Sequence, residues 1–222
     1  MTLTSSFPSR LFITGTDTGV GKTMVSAILA AGLKTAYWKP VQSGLDEETD
    51  TEAVKRLTGL PDLHFFPETY RLKAPLSPHE SARRDGITID LNRFALPEPS
   101  AGISHLIVEG AGGVFVPLNN REFMLDLMKK FALPVLLVSR STLGTINHTL
   151  LSIEALRNHH LTILGVVMNG PKNPSNRAAI EHYGNVKVLG EIEPLENFNS
   201  QTLKNMFEKT FEEKLSTEAP RH

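Results

Sequence analysis

Residues 10–23 read Arg-Leu-Phe-Ile-Thr-Gly-Thr-Asp-Thr-Gly-Val-Gly-Lys-Thr, and no other stretch of the chain carries as much chemistry. A short apolar run meets a glycine-rich loop that closes on Gly21-Lys22-Thr23 and feeds a helix-like run, Met24 to Leu33. Strand, loop and helix in that order make a phosphate-binding P-loop. Backbone N–H groups of the loop and of the helix start can face phosphate oxygens. Lys22 would reach the β- and γ-phosphates, and the Thr23 hydroxyl would hold Mg²⁺. The loop is a variant. The glycine usually found five residues before Gly21 is Thr16 here, and Gly15 stands one place earlier.

Three more residues could work beside it. Glu109 ends an apolar run and enters the turn Gly110-Ala111-Gly112-Gly113. A charge delivered by a buried strand needs a partner, and Mg²⁺ in nucleotide sites takes one or two carboxylates. Asp50 starts a helix and reads either as a second metal acid or as a charge favourable to the helix dipole. Lys39 stands before Pro-Val-Gln-Ser-Gly, where a site role and a solvated surface charge are both open. The histidines show no i, i+4 ligand pairing, so no zinc site is expected.

Something must hold these groups together. Strand-like runs cover 11–14, 35–39, 105–109, 134–139, 162–169 and 186–192. Several are near-continuously apolar, as strands buried on both faces are. Helix-like stretches alternate with them at 22–33, 50–57, 123–131, 145–158 and 175–183, and a last one covers 201–215. The expectation is an α/β fold, a single-domain P-loop NTPase-like unit with a mostly parallel sheet and helices on both faces. Its domain would span 10–215, with a flexible tail at 1–9 and a C-terminal tail at 216–222. Residues 59–100 are Pro-rich and read as an irregular excursion over the sheet edge. Ligands of such sheets sit beyond the C-terminal strand ends.

Composition narrows the function classes. Net charge is −1, without long runs of one sign, which gives no support to a nucleic-acid or acidic-membrane partner. The absence of cysteine excludes disulfides and thiolate metal sites and suits a cytoplasmic enzyme. No apolar stretch approaches the ~20 residues that span a bilayer, and the first residues lack signal-peptide character. The last helix has Leu203, Met206, Phe207, Phe211 and Leu215 on one face and mixed charges on the other. Packing against the domain is the better reading of it than membrane docking.

The chain resembles the dethiobiotin synthetases. The likeness rests on Thr-Gly-Thr-Asp-Thr-Gly-Val-Gly-Lys-Thr (14–23), Lys-Pro-Val-Gln-Ser-Gly (39–44), Ala-Pro-Leu-Ser-Pro-His (74–79) and Val-Glu-Gly-Ala-Gly-Gly (108–113). Leu-Gly-Thr-Ile-Asn-His (143–148) and Leu-Gly-Glu-Ile (189–192) follow in the same order. One such motif is weak; six in order are specific. The resemblance implies ATP- and Mg²⁺-dependent joining of CO₂ to 7,8-diaminopelargonate, with closure to dethiobiotin, in biotin biosynthesis. It implies that Lys39 and Lys22 are catalytic and that Thr23, Asp50 and Glu109 hold the metal. ATP would contact Gly19, Val20, Gly21, Lys22, Thr23 and Met24. Asp50, Glu109, Gly110, Ala111 and Gly112, then Asn169 and Gly170, and finally Glu193, Pro194 and Leu195 would complete its site. The diamine would meet Thr18, Ser43 and Ser77. Gly144, Thr145 and Asn147 would bind its carboxylate across a homodimer interface. Two positions depart from the pattern: Gly19 stands where the family often has an acid, and Glu193 precedes Pro194.

A partition- or septum-type ATPase switch is the rival reading. Such switches carry a lysine early in the loop, where this chain has Asp17. A related amide-forming ligase of cobalamin-type metabolism would append a domain with a catalytic cysteine, and the chain has no cysteine.

Overall fold

The computed structural model describes residues 7–194 and 198–212. A seven-stranded parallel sheet in the order β4-β2-β6-β1-β7-β8-β9 forms its centre. In chain order its strands are β1 (Arg10–Gly15), β2 (Ala36–Trp38), β4 (Phe65–Phe66), β6 (Leu106–Gly113), β7 (Val135–Arg140), β8 (Ile163–Asn169) and β9 (Val188–Ile192). A parallel two-stranded ribbon joins β3 (Val41–Ser43) to β5 (Tyr70–Leu72). The helices are α1 (Lys22–Leu33), α2 (Asp50–Thr58), α3 (Pro78–Arg84), α4 (Met124–Phe131), α5 (Thr145–Asn158), α6 (Pro174–Gly184) and α7 (Ser200–Phe207). None of the described helices is long and apolar enough to cross a membrane.

The period-2 alternation of β1 explains why the sheet is covered twice. Leu11 and Ile13 join Val25, Ile28 and Leu29 of α1 and Leu203 and Phe207 of α7 in one core cluster. Phe12 faces the opposite way, into a cluster with Leu125, Leu127 and Met128 of α4 and Leu156 of α5. Each such side chain, fully buried, contributes ~1.5–3 kcal/mol. With both faces apolar, the polar residues of the strands are displaced to their C-terminal ends, where the site forms.

Four readings from the sequence need correction. The excursion at 59–100 is only partly irregular: it holds β4, β5, α3 and 3₁₀ turns at Asp62–His64 and Leu91–Arg93. Pro61 precedes the first 3₁₀ turn, and Pro78 opens α3, where a missing N–H costs nothing. Glu109 does not end its strand, because β6 continues through Gly113, which pairs with Gly15 after a register shift. Phe7 lies in the expected tail but is buried, 6.0 Å from the ring of Phe207 and 5.5 Å from that of Phe211. The last helix gives way after Phe207 to a π-turn, Glu208–Glu212, which keeps Phe211 on the apolar face. Leu215 lies outside the described residues.

Candidate active site

Gly21 starts α1 with φ 97°, a left-handed backbone that glycine adopts without strain. The space a Cβ would take there belongs to Asn169, whose Nδ2 lies 2.1 Å from that point. Asn169 Nδ2 also donates to Val20 O at 3.0 Å, so the end of β8 props the loop from below. From the other side Arg140, the last residue of β7, donates to Thr18 O at 3.0 Å and lies 3.5 Å from Asp17 Oδ2. Lys22 Nζ crosses the loop to Asp17 O at 3.2 Å. The loop thus has its phosphate-accepting shape with backbone and lysine both in place.

Glu109 is the centre of the second half of the site. It is fully buried. Its Oε1 accepts from Thr23 Oγ1 at 3.1 Å and from Lys39 Nζ at 3.0 Å. Its Oε2 accepts from Ser26 Oγ at 2.6 Å and from Tyr37 OH at 3.0 Å. Asp50, the first residue of α2, closes the ring: its Oδ1 lies 2.7 Å from Thr23 Oγ1 and shares that hydroxyl's single proton with Glu109 Oε1, and its Oδ2 lies 2.6 Å from Lys39 Nζ. The α2 N-terminus is fixed by a capping box between Thr49 and Glu52, and Gln42 Oε1 accepts from Asp50 N at 3.3 Å. Lys39 also donates to Gly110 O at 3.2 Å.

A buried ion pair is a poor stabiliser, since desolvation offsets the Coulomb gain. Two carboxylates and a lysine desolvated together at a cleft therefore point to chemistry. Burial lowers the Lys22 pKa to about 8, helped by the nearby Lys39 charge and opposed by Glu109, Asp50 and Asp17. Burial pulls Lys39 the same way, but Glu109 and Asp50 outweigh it and hold its pKa above the ordinary lysine value. Burial raises Asp50, and Lys39 and Thr23 reverse that to leave it below the ordinary carboxylate value. Burial and the Glu109 charge keep the Tyr37 phenol well above its usual value, hence protonated and a donor.

An open cleft of about 310 Å³ runs from the loop to this ring. Thr18, Gly19, Gly21, Lys22, Thr23, Lys39, Ser43, Asp50, Glu109, Ala111 and Gly112 of the expected site line it, together with Val41 and Gln42. Ser43 Oγ is buried there without a hydrogen-bond partner. Val20, Met24 and Gly110 adjoin it in the chain; Asn169 lies against the loop, whereas Gly170 packs against Ser141 and donates to Ile192 O. Ser77 is not part of the cleft wall; it caps α3, its carbonyl accepting from Glu80 N and Ser81 N. Gly144, Thr145 and Asn147 also lie away from this cleft. Thr145 is buried and turns its hydroxyl to Arg140 O at 2.5 Å, while Asn147 is exposed on a separate groove with Leu151 and Tyr183. Glu193 pairs with Lys172 at 3.3 Å, Pro194 is exposed, and Leu195 lies outside the described residues.

The sequence reading missed Ser26, Tyr37, Gln42 and Arg140. Spacing holds a signal for two of them. Ser26 is three residues after Thr23, on the same helix face, and Tyr37 is two residues before Lys39, on the same strand face.

A phosphate-accepting loop, a hard-oxygen cluster and a second buried lysine on one cleft make a site for phosphoryl transfer to an anionic acceptor. Known proteins narrow this further. The ATP-dependent dethiobiotin synthetase BioD of Paramagnetospirillum magneticum is 51% identical over 90% of this chain and 96% of its own length. That of Rhodopseudomonas palustris is 47% identical over 90% of this chain and 93% of its own. The chain belongs to the dethiobiotin synthetase family. A family model described as an AAA domain also matches residues 9–202. Among solved structures, the septum site-determining protein MinD of Pyrococcus horikoshii, complexed with Mg-ADP, is similar with a TM-score of 0.53. It covers 96% of this chain and 99% of its own at 16% identity, a likeness of fold alone. The likeness to the septum protein is thus one of fold, while the sequence likeness that carries a reaction is to the family.

Proposed function

We propose that the protein is an ATP-dependent dethiobiotin synthetase, a ligase of biotin biosynthesis that carboxylates 7,8-diaminopelargonate and closes the cyclic urea. The observation that carries this reading is the meeting of Lys22 and the Lys39–Asp50–Glu109–Thr23 ring on one cleft. One amine of the diamine takes up CO₂ and loses a proton, giving a carbamate. The carbamate oxygen attacks the γ-phosphorus of ATP, and ADP leaves. The second amine attacks the carbonyl carbon, loses its proton, and inorganic phosphate departs as the ring closes.

Little of this needs a protein nucleophile; it needs two anions held in line. Lys22 brings the terminal phosphates to the loop. Lys39 neutralises the carbamate as it approaches them. Ser43 Oγ, buried and unpartnered, is a donor for the same carbamate or diamine, and Thr18 faces it from the loop.

The ring fits Mg²⁺. Thr23, Asp50 and Glu109 offer hard oxygens, the donor type this ion takes, with Thr23 Oγ1 2.7 Å from Asp50 Oδ1 and 3.1 Å from Glu109 Oε1. When bound, Mg²⁺ would neutralise charge on the phosphate oxygens. A homodimer completes the reading. Leu143, just before α5, and Leu151 within it are largely exposed, an apolar surface for a second copy to cover, and the family resemblance makes Gly144 and Asn147 of one copy part of the other's site.

The test is an ADP-release assay with Mg·ATP and bicarbonate. Release is expected to require 7,8-diaminopelargonate and to yield dethiobiotin in equal amount. Release at the same rate without the diamine would sink the reading and favour a switch ATPase.

A further inference from the structure

Glu109 is held asymmetrically. Its Oε2 takes two donors from the protein interior, Ser26 Oγ at 2.6 Å and Tyr37 OH at 3.0 Å. Both donors belong to fully buried residues. Its Oε1 meets the two groups that line the cleft, Thr23 and Lys39. The two inner donors come from different elements, α1 and β2, whose backbones are fixed by the core, so neither can follow a rotating carboxylate. Turning Glu109 to present both oxygens to the cleft would strip Oε2 of both donors at a fully buried site, where an unpaired charged oxygen is costly.

We propose that Ser26 and Tyr37 are positioning residues that restrict Glu109 to one working oxygen, and that this restriction makes the site select Mg²⁺ over Ca²⁺. The two ions differ in what they ask of a carboxylate. Mg²⁺ takes an octahedron of single oxygens at short distance, whereas Ca²⁺ takes six to eight oxygens in a looser shell and favours carboxylates that offer both. A glutamate pinned through Oε2 serves the first and denies the second its extra ligand. Asp50 does not restore it, because its two oxygens are divided between Thr23 and Lys39. Outer groups that orient a ligand in this way typically carry ~10–100-fold in metal affinity.

The inference rests on the Mg²⁺ reading above, and the experiment separates the two. Binding of the non-hydrolysable analogue β,γ-methylene-ATP is measured calorimetrically with Mg²⁺, with Ca²⁺ and with chelator, for the wild type, Ser26→Ala, Tyr37→Phe and the double variant. The wild type should bind more tightly with Mg²⁺ than with Ca²⁺. In the double variant the Mg²⁺-supported affinity should fall ~10-fold while the Ca²⁺-supported affinity holds or rises. Each single variant should show part of that split. Ser26→Ala sits mid-helix, where alanine is favoured, so it carries the test should the double variant not fold. Equal losses with both ions, no loss with either, or a wild type that takes the ions equally would each overturn the proposal. A wild type whose binding is unaffected by chelator would instead remove the Mg²⁺ reading and the proposal with it.

Discussion

The two cleft lysines are chemically unlike, and their surroundings say why. Lys39 has two carboxylates within 3.0 Å and stays charged at any working pH. Lys22 is also buried but its near partner is a backbone carbonyl, and its pKa falls to about 8. The sign follows directly: below pH 8 Lys22 is cationic and attracts phosphate, and above it the charge is lost. Affinity for an ATP analogue should therefore weaken as pH rises through about 8. Lys22→Arg, which cannot titrate in that range, should flatten the slope; a slope unchanged in Lys22→Arg would assign it elsewhere. Lys39→Ala should lower turnover by ~10²–10³ with a far smaller change in analogue affinity, read by calorimetry beside steady-state kinetics. Unchanged turnover would take Lys39 out of the mechanism.

At the scale of elements, the site depends on where helices begin. Asp50 reaches Lys39 and Thr23 because it is the first residue of α2, and the Thr49 hydroxyl receives Glu52 N to define that start. Thr49→Ala should cost about 1 kcal/mol, visible in urea denaturation, and should also weaken Mg²⁺-supported nucleotide binding. Loss of stability alone would show that Asp50 keeps its place without the cap. The opposite end of α1 is set by packing. A Cβ on Gly32 would lie 2.1 Å from Phe207 Cγ. Phe207 is itself wedged against Phe7 and Phe211. Gly32→Ala gains ~1 kcal/mol of helix propensity but overpacks a fixed ring, a cost of ~1–3 kcal/mol. The melting temperature should fall by a few degrees (~2–4 °C per kcal/mol at this size), and a rise would mean that α7 yields easily.

At the scale of the molecule, the cleft of one chain holds the lysines and acids but not Gly144, Thr145 and Asn147. The proposed homodimer makes a numerical prediction. Lys39→Ala and an inactivating change at Asn147 damage opposite halves of a composite site. Random mixing after subunit exchange puts one intact site in each heterodimer of a twofold assembly, so about one quarter of wild-type activity should return. No recovery, with exchange verified by mass, would place substrate wholly within one chain. Leu151→Glu should give the monomer mass by light scattering.

The sequence by itself determined the loop and the alternation of strands and helices, and it marked Lys22, Thr23 and Glu109 as candidates, because these signals are local: glycine spacing, period-2 and period-3.6 apolarity, polar ends of apolar runs; Lys39 stayed open between a site role and a surface charge. The two- and three-residue strands at Phe65–Phe66 and Tyr70–Leu72 were not legible, since so short a run has no period and forms only by pairing with β2 and β3. Asp50 was ambiguous for a related reason. Cap and ligand look alike along the chain, and only the crossing of α2 over Lys39 puts its carboxylate 2.6 Å from the ammonium. Tertiary structure alone decided how Glu109 is held. Thr23, Ser26, Tyr37, Lys39 and Glu109 come from α1, β2, the connection after β2, and β6, and burial of a charge, which no local pattern encodes, is what forces them to share it.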